Sequence, residues 1–146
     1  MQISSNGIMI IKKFEGFSPT AYPDAGGGWA IGYGHTGTID GLPLTGNMRI
    51  TEQKAEYLLY QDLVIVQGVI QSNVKIQLSQ NQFDALCSLV FNIGSGAFMR
   101  STLLIHLNRY NIQEAANEFL LWSNVGRKKG LLLPRRKKER QLFLSN

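Results

Sequence analysis

The chain has 146 residues, and 44% of them are apolar. That length suits one compact domain, and the apolar content excludes an intrinsically disordered chain. The formal net charge of +5 favours anionic partners, a class that includes nucleic acid, teichoic acids, lipopolysaccharide and membrane surfaces.

The composition of the first third of the chain changes after a short predicted helix. Apolar residues at helical spacing predict an amphipathic helix over 3–14, with Ser4, Ser5 and Asn6 as candidate caps. Glycine and proline then recur through residues 17–48, with short apolar pieces such as Trp29-Ala30-Ile31 between them. This pattern predicts a small antiparallel sheet with tight turns.

The remainder is predicted to be helical from its capping residues and apolar stripes. The predicted helix starts are Thr51 for a helix to about residue 72, Ser79 with Gln82 as a capping box, Asn111 with Glu114 as a second capping box, and Pro134 for a last helix through Leu144. No internal repeat or low-complexity tract is present.

These elements predict one α+β domain over residues 1–146. A small antiparallel sheet lobe covers about 17–48, and a larger helical lobe covers about 51–146 with the N-terminal helix packed on it. A cleft between two such lobes is a natural binding site.

Glu15 and Asp24 are the only acidic residues among the first 28. Glu15 ends the first helix beside Phe14 and Phe17, where desolvation favours the protonated acid, whereas a carboxyl in a glycine-rich turn stays ionised. Glycoside hydrolysis needs such a pair, one carboxyl to protonate the leaving oxygen and one to activate water or stabilise the cation. By itself the pair is weak evidence for catalysis and is more typical of a solvated glutamate at a helix end and a turn-forming aspartate.

A longer motif surrounds the two carboxyls: Glu15-Gly16, Ala21-Tyr22-Pro23-Asp24 and Ile31-Gly32-Tyr33-Gly34-His35-Thr36. It resembles the active-site segment of phage-type lysozymes, the endolysin muramidases of glycoside hydrolase family 24. Those enzymes carry Glu, eight residues, Asp, five residues, Thr and then Ile-Gly-x-Gly-His, and both gaps are kept here. The resemblance continues through 81–94, 101–104 and 133–136, so it covers essentially the whole chain.

The resemblance implies a lysozyme-like fold and an enzyme that hydrolyses the β-1,4 bond between N-acetylmuramic acid and N-acetylglucosamine in peptidoglycan. It implies an inverting route with Glu15 as general acid, Asp24 as second carboxylate and Arg136 as the ion-pair partner of Glu15. The implied substrate-binding positions are Gly34, His35, Thr36, Phe91, Asn92 and Thr102. From the residues themselves, His35 is predicted to be a hydrogen-bonded structural residue. No cofactor or metal is expected, since no cysteine or acid stands at metal-like spacing from either histidine.

Ala30 occupies the position of the family's catalytic Thr, whose hydroxyl helps to hold water beside the aspartate. A methyl group can neither donate nor accept a hydrogen bond. Four interpretations stay open: reduced activity in an engineered or drifted form, replacement by another hydroxyl or water (Thr20, Tyr22 or Thr36), internal attack as in lytic transglycosylases, or a non-catalytic wall binder.

Eight of the fifteen basic residues lie within 127–140, against one acid, Glu139. A nucleic-acid interface lacks the interleaved aromatic residues that it would need, so we expect a solvated face or one that attracts the anionic cell envelope.

Two further features concern location and redox state. Cys87, the only cysteine, excludes an intramolecular disulfide and is predicted to be a small buried hydrophobic residue. The longest apolar run near the N-terminus is residues 8–11, too short for a signal-peptide core. We therefore expect the protein to be held in the host cytoplasm and to reach the periplasmic wall only after a holin-like protein permeabilises the membrane. We also expect a monomer.

Overall fold

Residues 1–145 of the computed structural model form seven α-helices, a short 3₁₀ segment and a two-stranded sheet. In chain order they are α1 (Ser5–Glu15), β1 (Ser18–Pro23), β2 (Trp29–Gly32), α2 (Glu52–Asn73), α3 (Gln80–Ile93), α4 (Ser95–Met99), α5 (Thr102–Asn108), α6 (Ile112–Glu118), the 3₁₀ segment (Phe119–Leu121) and α7 (Leu133–Leu144). The predicted α+β class with a small antiparallel sheet is confirmed. The chain divides into two compact units, residues 11–64 and residues 1–10 with 65–146.

The unit of residues 11–64 is built around the antiparallel pair β1–β2. Tyr22 lies opposite Ala30 and Pro23 opposite Trp29, and an irregularity in β1 follows Ser18. One face of this sheet buries Ile31 in a small apolar cluster with Ile39 and Leu58 of α2. The predicted sheet lobe, about 17–48, lies within this unit.

The other unit is organised on α3, whose residues 83–90 are all buried and which packs against α7. The predicted capping box is confirmed, since the Ser79 side chain accepts from the Gln82 backbone N–H and the Gln82 side chain accepts from that of Ser79. Cys87 is fully buried in this core, as predicted. Burial and the negative charge of Asp84 raise the pKa of the Cys87 thiol.

The other predicted caps have mixed outcomes. Thr51 caps α2 through a 3.1 Å bond from the Lys54 N–H to its hydroxyl, and Pro134 lies in the first turn of α7. The capping box predicted at Asn111 is wrong. Asn111 does precede α6, but its side chain caps nothing, because its ψ of 72° departs from the extended backbone that brings an N-cap side chain over the helix end.

The expectation of a solvated basic face over 127–140 is wrong at two of its eight cations. Arg135 and Arg136 are 5% and 0% exposed, and both form ion pairs with buried Glu139, at 3.1 Å and 2.9 Å. Ser88 of α3 donates a hydrogen bond to the same carboxylate at 2.5 Å. Two of the eight cations therefore belong to the core of this unit, because their guanidinium groups neutralise a buried acid.

Candidate active site

Glu15 lies at the last position of α1, where the backbone leaves the helix. Gly16 closes the final turn with a 2.9 Å bond to the Lys12 carbonyl and has a φ of +69°, the left-handed conformation that ends many helices. The Glu15 side chain is half-buried. The helix end thus holds this carboxyl at a fixed point of the unit.

The end of α1 contacts α2 directly through an ion pair and indirectly through the ring of Tyr33. Lys12 forms a 2.6 Å ion pair with Glu56, and its ammonium lies 5.3 Å from the centre of the Tyr33 ring. Tyr33 donates a 3.0 Å hydrogen bond to Glu52, and its ring packs on Phe17 with centroids 5.7 Å apart. These contacts restrict movement of the segment that carries Glu15.

Gly34 provides the surface on which the Glu15 carboxyl rests. A Cβ added at Gly34 would collide with Glu15 Oε1 and would lie only 3.1 Å from Glu15 Cδ. The φ of Gly34 is +72°, which also favours glycine. The carboxyl therefore occupies the space where any other residue would place a side chain.

A tight turn holds Gly34 in this place. Ile31 and His35 exchange backbone hydrogen bonds of 3.0 and 2.9 Å. The His35 ring is 2.8 Å from Asp62 through Nδ1 and 2.9 Å from the Thr38 carbonyl through Nε2. His35 is buried and hydrogen-bonded, as predicted, and the Asp62 hydrogen bond raises its pKa against the effect of burial.

Asp24 lies in the hairpin turn between the two strands. Its N–H donates to the Gly28 carbonyl at 3.0 Å, and its carbonyl accepts from the Gly27 N–H at 3.1 Å. The Gly26 N–H donates to one carboxylate oxygen at 3.3 Å. The backbone thus orients Asp24 in the polar turn that the sequence predicts for it.

Tyr22 connects the two carboxyls electrostatically. Burial raises the pKa of its hydroxyl, and the negative charges of Glu15 and Asp24 raise it further. A phenol feels both charges only if both lie near it, since exposed charges are screened over roughly 10 Å. Tyr22 therefore lies within electrostatic range of both Glu15 and Asp24. From the sequence, Tyr22 was only one of three hydroxyl-bearing residues that could replace the hydroxyl missing at Ala30. Its position opposite Ala30 became known only from the register of the two strands.

Ala30 is 2% exposed, and it lies opposite Tyr22 in the register of the two strands. Thr36, directly after the His35 turn, is exposed. Of the predicted residues in this unit, Glu15 and Gly34 are in direct contact.

Two of the predicted residues of the helical unit, Asn92 and Arg136, belong to a second polar cluster. Phe91 is half-buried against the core, Asn92 is exposed, and Thr102 is exposed at the start of α5. Arg136 donates to the Asn92 side-chain oxygen and pairs with Glu139. The pairing of Arg136 with Glu15 stays a prediction. Burial raises the pKa of Glu139, although the charges of Arg136 and its neighbour Arg135 oppose that rise.

Within residues 1–145, no group of three or more histidine, cysteine or acidic side chains is arranged to bind a metal ion. In the same part of the chain, no helix has the length and hydropathy of a membrane span.

Comparison with known proteins gives a consistent result. Residues 12–139 match the phage lysozyme family. The chain is 52% identical to the endolysin of Salmonella phage P22, covering 99% of both sequences. The crystal structure of a P22 lysozyme mutant superposes with a TM-score of 0.86 at 52% identity, covering 99% of both chains. The muramidase domain of SpmX from Asticaccaulis excentricus superposes with a TM-score of 0.89 at 36% identity, again covering 99% of both.

Proposed function

Because the chain belongs to the phage lysozyme family and is a lysozyme that degrades peptidoglycan, we propose that it hydrolyses the β-1,4 bond between N-acetylmuramic acid and N-acetylglucosamine. The observation that carries this proposal is that one compact unit holds the Glu15 carboxyl against Gly34 and Asp24 in the turn between the strands, and that the charges of both raise the pKa of Tyr22. Two carboxyls with one fixed on a helix end and one in a hairpin turn supply an acid and a base on either side of a sugar.

In the proposed reaction, Glu15 protonates the oxygen of the leaving sugar while Asp24 takes a proton from the attacking water. An inverting enzyme needs room for that water, so the two carboxyls should be about 6.5–9.5 Å apart when substrate is bound. The glycosidic bond breaks as water attacks from the opposite face, which yields the α-anomer of the new reducing end.

Product analysis of digested peptidoglycan tests this proposal. Reducing sugar that appears first as the α-anomer in proton NMR is the expected result. A 1,6-anhydro end would identify a lytic transglycosylase, the alternative favoured by the missing hydroxyl at Ala30, and the absence of any product would identify a non-catalytic wall binder.

The substrate-binding assignment is also part of this proposal and comprises Gly34, His35, Thr36, Phe91, Asn92 and Thr102. The exposed hydroxyls of Thr36 and Thr102 are the simplest to test. Replacing either by Val should raise KM severalfold with little change in kcat, because a ground-state contact is lost. Ser72→Ala, on the exposed face of α2, serves as the control.

We propose that the exposed part of the basic segment attracts the anionic cell envelope. Arg127, Lys128 and Lys129 are exposed on a hairpin closed by the mutual backbone bonds of Val125 and Lys128, at 3.0 and 2.9 Å. Neutralising these three by Gln should weaken binding to isolated envelopes at low salt. The charge-matched control replaces three exposed cations elsewhere: Lys13, Arg100 and Arg109.

Finally, we propose that the protein is a monomer, needs no cofactor and does not bind nucleic acid. We propose that it stays in the host cytoplasm until a holin-like permeabiliser opens the way to the periplasmic wall. Expressing cells should then remain intact and should lyse when chloroform is added. Lysis without chloroform would contradict this part of the proposal.

A further inference from the structure

We propose that Tyr22 takes the place of the missing hydroxyl at Ala30: its phenol oxygen holds the water that Asp24 activates. This inference rests on the proposed inverting hydrolysis. It assigns the second hydrogen-bond partner of the attacking water to a residue on the neighbouring strand.

The chemistry requires such a partner. A water molecule that attacks the anomeric carbon must direct a lone pair at it, and one hydrogen bond to Asp24 leaves the water free to rotate about that bond. A second acceptor fixes both O–H bonds. Ala30 supplies none, because its side chain is a methyl group that is 2% exposed.

The strand register puts Tyr22 in the right position. Tyr22 and Ala30 are direct partners in the antiparallel pair, so their side chains project from the same face of the sheet. A hydroxyl on Tyr22 therefore extends over the face on which a hydroxyl at position 30 would have stood. Tyr22 is half-buried, which limits the number of positions its ring can adopt.

The other two candidate hydroxyls are less well placed. A strand rises about 3.3 Å per residue, so Tyr22 is about 7 Å of backbone from Asp24, whereas Thr20 is about 13 Å away. Thr20 is moreover paired in a bridge with Arg49, on a different segment. Thr36 is exposed beyond the Ile31–His35 bridge.

The electrostatics keep the phenol in the required form. Burial and the charges of Glu15 and Asp24 raise the pKa of Tyr22 above its ordinary value of 10, so the hydroxyl stays protonated at neutral pH. A neutral phenol can accept a hydrogen bond from water and donate a hydrogen bond to a carboxylate while it keeps its proton. Tyr22 thus adds no negative charge to a site that already holds two acids.

The water donates one hydrogen bond to Asp24 and one to the Tyr22 oxygen, and its lone pair forms the new bond to the anomeric carbon. The bond from that carbon to the leaving oxygen breaks, and the Glu15 proton moves to this oxygen. The proton that the water loses passes to Asp24, while Tyr22 keeps its own.

A double-mutant cycle on Tyr22 and Ala30 tests the inference. Tyr22→Phe removes one oxygen atom and should lower kcat about tenfold to a hundredfold with less than a threefold change in KM, because the water is aligned only as the bond breaks. Ala30→Thr should recover most of that loss in the Tyr22→Phe background and should change kcat much less in the parent background. Tyr110→Phe, which removes an equivalent hydroxyl from a 72%-exposed ring, is the matched control.

Each outcome separates this inference from the function on which it rests. Thermal unfolding of each variant shows whether it folds, and the rescue by Ala30→Thr excludes a purely structural loss. A Tyr22→Phe variant with kcat within twofold of the parent, or a loss that Ala30→Thr does not repair, would overturn the role of Tyr22. Glu15→Gln, assayed in parallel, tests the hydrolytic function itself: an active Glu15→Gln variant would defeat that function, whereas an inactive one beside an unaffected Tyr22→Phe would defeat only the inference.

Discussion

Replacing Gly34 by alanine should disable the enzyme by displacing its acid. The added Cβ would collide with Glu15 Oε1 and would lie 3.1 Å from Cδ, closer than nine in ten real Cβ contacts, so the carboxyl has to move. A misplacement of about 1 Å in a catalytic group can cost on the order of 10²-fold in rate. We therefore expect Gly34→Ala to lower kcat by about 10²-fold.

The same substitution also strains the backbone, and that effect needs its own control. Alanine at a φ of +72° costs about 1–2 kcal/mol, which lowers the Tm of a chain of this size by roughly 4 °C per kcal/mol. Gly41 has a φ of +80° with nothing within 4 Å of an added Cβ. Gly41→Ala should thus show a similar loss of stability without the loss of activity.

The assay combines thermal unfolding with turbidity clearing of outer-membrane-permeabilised cells. The expected result is two variants of similar Tm, of which only Gly34→Ala clears slowly. If Gly34→Ala cleared as fast as Gly41→Ala, the contact between Gly34 and the Glu15 carboxyl would have no part in catalysis, and the reasoning from that contact would be refuted.

Three further predictions concern stability and reactivity. Because Asp62 raises the pKa of His35 in the folded state, this pair stabilises the fold fully below the unfolded pKa of about 6.5 and less as the pH rises through the raised value. The free energy of unfolding in urea should therefore be lower at pH 8.5 than at pH 5.5, and Asp62→Asn should reduce that difference. Asp84 is 1% exposed and accepts hydrogen bonds from the backbone and hydroxyl of Ser4, so Asp84→Ala should lower the free energy of unfolding by about 1–3 kcal/mol, an effect that denaturant titration would measure and that a loss below 0.5 kcal/mol would contradict. Cys87, fully buried with a raised thiol pKa, should react with a thiol reagent at pH 8 only after denaturant is added, and rapid labelling of the native protein would show that this core opens.

Features encoded by neighbouring residues were predictable from the sequence. The box of Ser79 with Gln82 and the cap at Thr51 depend on residues three positions apart, so spacing alone identifies them. Asn111 is the exception, because the backbone angle that makes a cap is set by the chain entering the helix. Asparagine is a favourable residue type for an N-cap, but the backbone angle at Asn111 keeps its side chain from capping α6.

Features that depend on contacts between distant segments were not predictable. Asp84 holds the start of α1 through Ser4, eighty positions away, and nothing near either residue indicates that bond. Arg135 and Arg136 appear in a run of cations typical of a solvated face, yet the packing of α7 against α3 buries both, and Arg135 donates to the carbonyl of Ser88, forty-seven positions away. The candidate site divides in the same way, since the motif predicted Glu15 and Asp24, whereas the position of Tyr22 opposite Ala30 follows from the strand register.

Glu15, as the acid that protonates the leaving sugar, is the residue on which the proposed hydrolysis depends. The most direct test is the kcat of Glu15→Gln on purified peptidoglycan, because the substitution keeps the size of the side chain and removes only its ability to give up a proton. Removal of a general acid typically costs about 10²–10⁴-fold, so we expect a loss in that range with an unchanged Tm. A folded Glu15→Gln variant that retains more than about a tenth of the parent kcat would contradict the account.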